Sequence, residues 1–267
     1  MASIKATSKT KFKQSGTTKP SGKEIFKARS KREAIPRTWA GKNNPECKIS
    51  PIPKSAVVGV CDAILSKAGN NWYYIKYKGQ YGFVFAGHLQ SVSKHALKFV
   101  EHLNGIHDYV KEHGDKFIYK FESELNSFAK AQARVKAGKK AGMTCLVPMA
   151  WALQSMGIKR ADGKIWVSGN NGSFKHHYTG GVKKYLSRIT SGEAIGKTVK
   201  QAIDANLLKP GDFVAFKDKT HTAAYTGKGY TMYDGGHNSM KGGKHTGIKA
   251  DYKNYKHKIS EILRWKE

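Results

Sequence analysis

TCLVPMAWALQSMG, residues 144–157, is the stretch on which the reading of the fold turns. Leu146, Met149, Ala150 and Leu153 recur at helical spacing, Thr144 is placed to cap, and Gly157 is placed to close the end. Pro148 falls within the first turn, where a missing backbone donor costs little. The pattern predicts a helix with Cys145 in its first turn. A thiol there feels the positive end of the helix dipole, which favours the nucleophilic thiolate. Free cysteines are also among the most buried residue types, so this stretch taken alone favours a structural cysteine. What lies downstream reverses that preference.

After Gly157 a loop-rich segment, ADGKIWVSGNNGSFKHHYTGG (161–181), leads to a predicted helix, TVKQAIDANL (198–207). LKPGDFVAF (208–216) reads as a Pro-Gly turn feeding a strand, and THTAAYTGKGYTMYDGG (220–236) as strand, glycine turn, strand. KISEILRWK (258–266) adds a final strand. A helix bearing a cysteine followed by an antiparallel sheet bearing a histidine is an α+β arrangement. A cysteine peptidase needs a thiolate, an imidazole to take and return a proton, and a third polar group to orient that imidazole. His221 begins one strand of the predicted hairpin and Asp234 ends the next, so both lie at the same end, facing the Cys145 helix.

The order of these elements resembles the NlpC-type and CHAP-type cell-wall peptidases, small papain-like folds. TCLVPMAWALQSMGI (144–158) and KPGDFVAFKDKTHTAAYTGKG (209–229) carry the resemblance, which covers about 115–267. It implies Cys145 as nucleophile, His221 as general base and acid, and Asp234 as the orienting group. Many family members have Asp-Cys-Ser-Gly where this chain has Thr144, Cys145, Leu146 and Val147, and His-Val-Gly where it has His221, Thr222 and Ala223. The NlpC type often uses a second histidine as third residue; Tyr233 and Asp234 occupy that neighbourhood, with His237 and Asn238 as nearby substitutes.

Upstream the pattern is different. AVVGVC (56–61), NWYYIKY (71–77) and QYGFVF (80–85) are rich in β-branched and aromatic residues, with a tight turn at Lys78 and Gly79. Five or six short strands within 37–92 predict a small all-β barrel. NNWYYIKYKGQYGFVFAGHL (70–89) resembles the bacterial SH3-like domains that bind cell walls. The resemblance implies a targeting module for peptidoglycan or its attached polymers, with Trp72, Tyr74 and Tyr81 either filling the barrel or touching ligand. Residues 1–36, rich in Lys, Ser, Thr and Gly, read as a mobile basic arm, part of which, near Ile25 and Phe26, could dock on a neighbouring domain. Residues 93–267 form the expected peptidase or amidase domain. It opens with an amphipathic helix (93–114) capped by Ser93, with Phe99, Leu103, Ile106 and Val110 in one stripe and His102, His107 and His113 solvated. A basic surface helix within 124–140 follows.

Charge sets the partner. The 267 residues carry a formal net charge of +29. Self-repulsion on that scale calls for an anionic partner: nucleic acid, anionic lipid or the phosphate-rich polymers of a bacterial wall. Lysine-heavy charge suits diffuse attraction to a polyanion rather than sequence-specific nucleic-acid reading. No apolar run approaches the length of a membrane span, and MASIKATSKTKFKQSG (1–16) has a basic start without an apolar segment after it, so a classical secretory signal is not expected. Cys47, Cys61 and Cys145 leave one thiol unpaired however they pair, and a disulfide between the first two stays open. Neither CxxC nor HExxH occurs, so no metal and no cofactor are expected, and His176 with His177 reads as polar loop. The expectation is a monomeric, cofactor-free, lysin-like peptidoglycan hydrolase of phage type, acting at the wall outside the cell or from a virion. The alternative is a non-catalytic polyanion binder on a degenerate papain-like fold.

Overall fold

The computed structural model describes residues 24–48, 50–159, 161, 174, 175, 177–217 and 221–266. The chain is a mixed α/β protein that divides into two compact units, the first ending at Lys94 and the second running from His95 to Lys266.

The first unit is built on β1 (Phe26–Ser30), β2 (Val57–Leu65), β3 (Asn71–Tyr77), β4 (Gln80–Phe85) and β5 (Leu89–Val92). They form one five-stranded sheet in the order β4-β3-β2-β1-β5. All its pairings are antiparallel. The expected tight turn is present, with Lys78 and Gly79 both at positive φ (48° and 79°), the geometry of a two-residue hairpin whose twist matches its strands. One sheet face packs Ala28, Val58, Val60, Ile75 and Val84 into an aliphatic core. The other carries Ile64, Trp72 and Phe83 beneath Ala40 and Trp39.

The first strand corrects the expected arm. Residues 1–23 lie outside the described residues, but Phe26–Ser30 pairs with β2 on one side and β5 on the other. Composition hid it because FKARS alternates charge with apolar residues; its central Ala28 is fully buried, and even Arg29 is nearly so.

The second unit opens with α1 (Lys94–Glu112), followed by β6 (Phe117–Tyr119), α2 (Phe128–Lys136), β7 (Ala141–Met143) and α3 (Val147–Ser155). Beyond these come α4 (Gly180–Tyr185), β8 (Leu186–Ile189), α5 (Val199–Asp204), β9 (Phe213–Phe216), β10 (Thr222–Tyr225) and β11 (Thr231–Tyr233). The chain closes with β12 (Met240–Lys241), β13 (Lys244–His245), β14 (Lys249–Asp251) and β15 (Ile259–Trp265). The main sheet has six strands in the order β14-β11-β10-β9-β15-β8. The last strand is therefore internal, and across a shift in its register it sends both Ile259 and Ile262 into the core, with Val214 opposite Ile262.

Local sequence explains the helices. The α1 stripe Phe99, Leu103, Ile106 and Val110 is buried. Its histidines are not simply solvated: His107 Nδ1 accepts the Ile248 N–H at 2.9 Å, and His113 stacks on Tyr109 at 4.2 Å. Ser127 caps α2, and Thr198 with Gln201 forms a capping box on α5. The helix α3 is apolar all round, every residue from Val147 to Leu153 being buried, which makes it a central rather than a surface helix. Gly157, at φ +72°, ends it as expected: its N–H bonds Gln154 O and the Ile158 N–H bonds Leu153 O, a Schellman closure.

Candidate active site

The start of α3 differs from expectation by one turn position. Leu146 is the N-cap, so Cys145 lies just ahead of the helix, and Thr144 offers its carbonyl to Val147 N rather than a capping side chain. Cys145 still adjoins the helix N-terminal end and is 5% exposed.

Two glycines bring this end against the sheet. A side chain on Gly235 would stand 2.5 Å from Thr144 O and 2.7 Å from Pro148, and one on Gly236 would meet Asp234 Oδ1 at 2.9 Å and the Cys145 β-carbon at 3.4 Å. The Gly235 N–H bonds Cys145 O at 3.3 Å, pinning the cysteine to the segment that leaves β11. From the neighbouring strand, the Thr222 hydroxyl points at Cys145 Sγ, 3.9 Å away.

His221 precedes β10 and Asp234 follows β11, and the register Ala224 opposite Tyr233 puts them at one end of the hairpin. The structure brings Cys145, His221 and Asp234 together, with an addition. The imidazole Nε2 lies 3.4 Å from Asp234 Oδ2 but only 2.5 Å from the Tyr252 hydroxyl. That hydroxyl in turn donates to Asp234 Oδ2 at 2.8 Å. The Asn238 amide donates to the same carboxylate oxygen at 2.9 Å and to Tyr252 at 3.1 Å. The carboxylate's other oxygen accepts the Gly236 N–H at 2.7 Å. Asp234 thus reaches the imidazole both directly, at 3.4 Å, and through Tyr252, a residue that sequence reasoning missed.

His237, the alternative third residue, turns elsewhere and stacks on Tyr119 with ring centroids 4.0 Å apart. Tyr119, 43% exposed, marks the open side: burial, then the charges of Cys145 and Asp234, raise its pKa. Phe216, Tyr252 and Tyr255 surround the imidazole with aromatic faces.

Burial alone would depress the His221 pKa, yet its hydrogen bonds to Asp234 and Cys145 and their negative charge push it up to about 9. Burial likewise works to raise the Asp234 pKa, and His221, Tyr252 and the Gly236 N–H overcome it and hold the carboxyl below its usual range. The pair therefore favours charge on both partners. His245, behind the site, is neutral: burial lowers it to about 4.

A pH dependence follows from the histidine. Its folded pKa of about 9 lies above the ordinary 6.5, so its contribution to stability is fully present below about 6.5 and is lost as pH rises through about 9. The difference in urea midpoint between wild type and His221→Gln is expected to shrink between about pH 6 and about pH 10. A difference that grows over that range would show the histidine to be held neutral.

The remaining sequence candidates separate. Trp72 is buried and lines a cavity of the first unit, whereas Tyr74 and Tyr81 stack on each other at 5.6 Å outside that lining. Cys47, Cys61 and Cys145 form no disulfide with one another. His176 lies outside the described residues, and His177 is buried rather than loop-exposed. Among the described residues no cluster of three or more His, Cys, Asp or Glu side chains could hold a metal ion, and no helix is long and apolar enough to cross a membrane.

No family model matches the chain, and no curated protein matches it. Two solved structures are similar in part: NlpC2 from Trichomonas vaginalis (17% identity, 91% of this chain and 73% of that one, TM-score 0.34) and NlpC1 from the same organism (16%, 91% and 70%, TM-score 0.35). Likeness this distant carries no argument about the site.

Proposed function

We propose that the chain is a cysteine-dependent peptidoglycan hydrolase, cleaving a peptide or N-acetylmuramoyl-peptide amide bond. The observation that carries this reading is the buried contact of the Cys145 thiol with an imidazole whose Nε2 is already held by Tyr252 and Asp234. That leaves Nδ1 for the sulfur. Proton transfer gives thiolate and imidazolium, stabilised by the ionised Asp234. The thiolate attacks the carbonyl carbon, the imidazolium returns its proton to the leaving amine as the C–N bond breaks, and a thioester remains. His221 then takes a proton from water, whose oxygen attacks the thioester and frees the thiol.

The wall as substrate rests on the +29 charge and on the aromatic first unit, which we read as an SH3-like wall-binding module. On this reading the protein acts on bacterial walls from outside the membrane, as a lysin does. Purified peptidoglycan should yield new amino and carboxyl ends, identified by mass spectrometry. New reducing sugar ends without them would mean glycosidic cleavage, and an undigested wall would favour the non-catalytic polyanion binder.

A further inference from the structure

The first unit contains a cavity of about 680 Å³, set between a loop at residues 39–44 and the turn at 66–70. Both walls are braced without any ligand. Thr38 N bonds Pro45 O at 2.9 Å, and Asn44 Nδ2 bonds Ala40 O at 3.0 Å. Across the cavity, Ser66 N bonds Asn70 O at 2.8 Å and Gly69, at φ +75°, completes the turn. The floor and one side are aromatic: Trp72 meets Phe85 edge-on at 6.0 Å, and Trp39, anchored on Phe83 at 5.1 Å, also lines the cavity.

The polar lining is one-sided in charge. Lys42, Lys67 and His88 contribute to it, and none of the lining residues is acidic. His88 adds a ring rather than charge, because burial, and then the positive charge of Arg32 and Lys31, lower its pKa. Asn43 and Asn70 supply exposed amides, which can both donate and accept hydrogen bonds.

These three chemistries select a ligand class. Flat indole and phenyl faces suit the C–H faces of a sugar ring, amides suit its hydroxyl and acetamido groups, and ammonium groups suit an anion on it. Nucleic acid fits less well. A polynucleotide is bound along an extended basic groove with successive stacked bases, and arginine is the better partner for its phosphates, whereas this is one half-open pocket with two lysines in its lining. A peptide bound by strand addition would need a free strand edge, which loops and ring faces do not provide; a proline-rich peptide could use ring faces but would leave the two lysines without an anion.

We propose that this cavity binds an acidic glycan segment, an amino-sugar ring lying against Trp72 and Trp39 with its carboxylate met by Lys42 and Lys67. The proposal rests on the reading of the chain as a wall protein and replaces Tyr74 and Tyr81 as the contact residues. It places recognition on stretches of glycan from which the peptide has been removed, since the muramic carboxylate is otherwise tied up in the amide to the peptide, while the amide cut by Cys145 lies on strands that still carry peptide.

The test is calorimetric titration of the full chain with a peptide-free tetrasaccharide of alternating N-acetylglucosamine and N-acetylmuramic acid, which holds no peptide bond to cleave. The neutral chitin tetrasaccharide, a glycerol-phosphate polymer, an oligonucleotide and a wall tetrapeptide are run beside it. At about 50 mM salt, the carboxylated glycan is expected to bind roughly tenfold tighter than the neutral one. The double variant Lys42→Glu with Lys67→Glu, both exposed positions, should erase that ratio and leave the neutral glycan's affinity in place. Trp39→Ala should weaken both glycans alike. A ratio that survives the charge reversal overturns the proposal, as does equal or tighter binding of the phosphate polymer, the oligonucleotide or the tetrapeptide. The readout involves no turnover, so a wild-type protein inactive on walls would sink the hydrolase reading while this result stood.

Discussion

Replacing Cys145 with alanine is expected to abolish hydrolysis of small soluble muropeptides while the protein folds and still sediments with wall sacs. No other thiol can take over, because Cys47 and Cys61 belong to the first unit and burial raises the pKa of each. Cys145 has the His221 imidazole within hydrogen-bond reach to take its proton. Limited alkylation at near-neutral pH should therefore label Cys145 ahead of the other two, as peptide mapping would show, and labelling should track loss of activity. Cys145→Ser tests the same point with the shape nearly kept: a hydroxyl is far harder to ionise than a thiol, so it too should be inactive. Full lysis by Cys145→Ala protein would remove the covalent mechanism altogether.

The second large effect is expected at Asp234. An asparagine there keeps the outline but replaces one carboxylate oxygen with an amide nitrogen, facing the Tyr252 hydroxyl and the Asn238 amide, which both donate to it. The relay to His221 reverses or breaks, and the imidazolium loses its counter-charge. Turnover should fall by about 10-fold to 10⁴-fold, a range set by how much of the histidine's orientation Tyr252 preserves. Tyr252→Phe removes the 2.5 Å contact and leaves the carboxylate at 3.4 Å, so a smaller loss is expected. His237→Ala should turn over near the wild-type rate, since its ring stacks on Tyr119. Each rate is measured on soluble muropeptide at about 50 and about 500 mM salt, where the Debye length shrinks from roughly 14 to roughly 4 Å. Losses that belong to the chemistry should be the same at both, whereas wall attachment should weaken at the higher salt. A collapse in His237→Ala with near-normal Asp234→Asn would transfer the third role to the histidine.

Which parts of this were legible beforehand follows from how local each signal is. The Cys145 helix, the Pro-Gly turn and the glycine hairpin are read from neighbouring residues, and antiparallel pairing then fixes His221 and Asp234 at one end. Tyr252 gives no such signal. It enters from beyond β14, 18 residues from Asp234, and as a buried aromatic in the core its role depends on where its hydroxyl ends. The aromatics of the first unit show a related limit. Alternation places Trp72 and Tyr74 on one sheet face, opposite Phe85 and Phe83. Which of them meets the cavity is decided by the distant loop carrying Trp39 and by the 66–70 turn, not by period.

The strand Phe26–Ser30 has a practical consequence for anyone dividing this chain. Composition invites a cut near residue 36, where the lysine-rich stretch gives way to aromatic runs. Such a fragment would lack the strand that β2 and β5 share, leaving unpaired backbone N–H and C=O groups along residues 57–60 of β2 and along β5. Bare edges of that kind recruit other chains, so the shortened protein should aggregate rather than report on wall affinity. Trimming that stops short of Glu24 keeps the sheet closed on that side, along with the ion pair from Glu24 to Lys27.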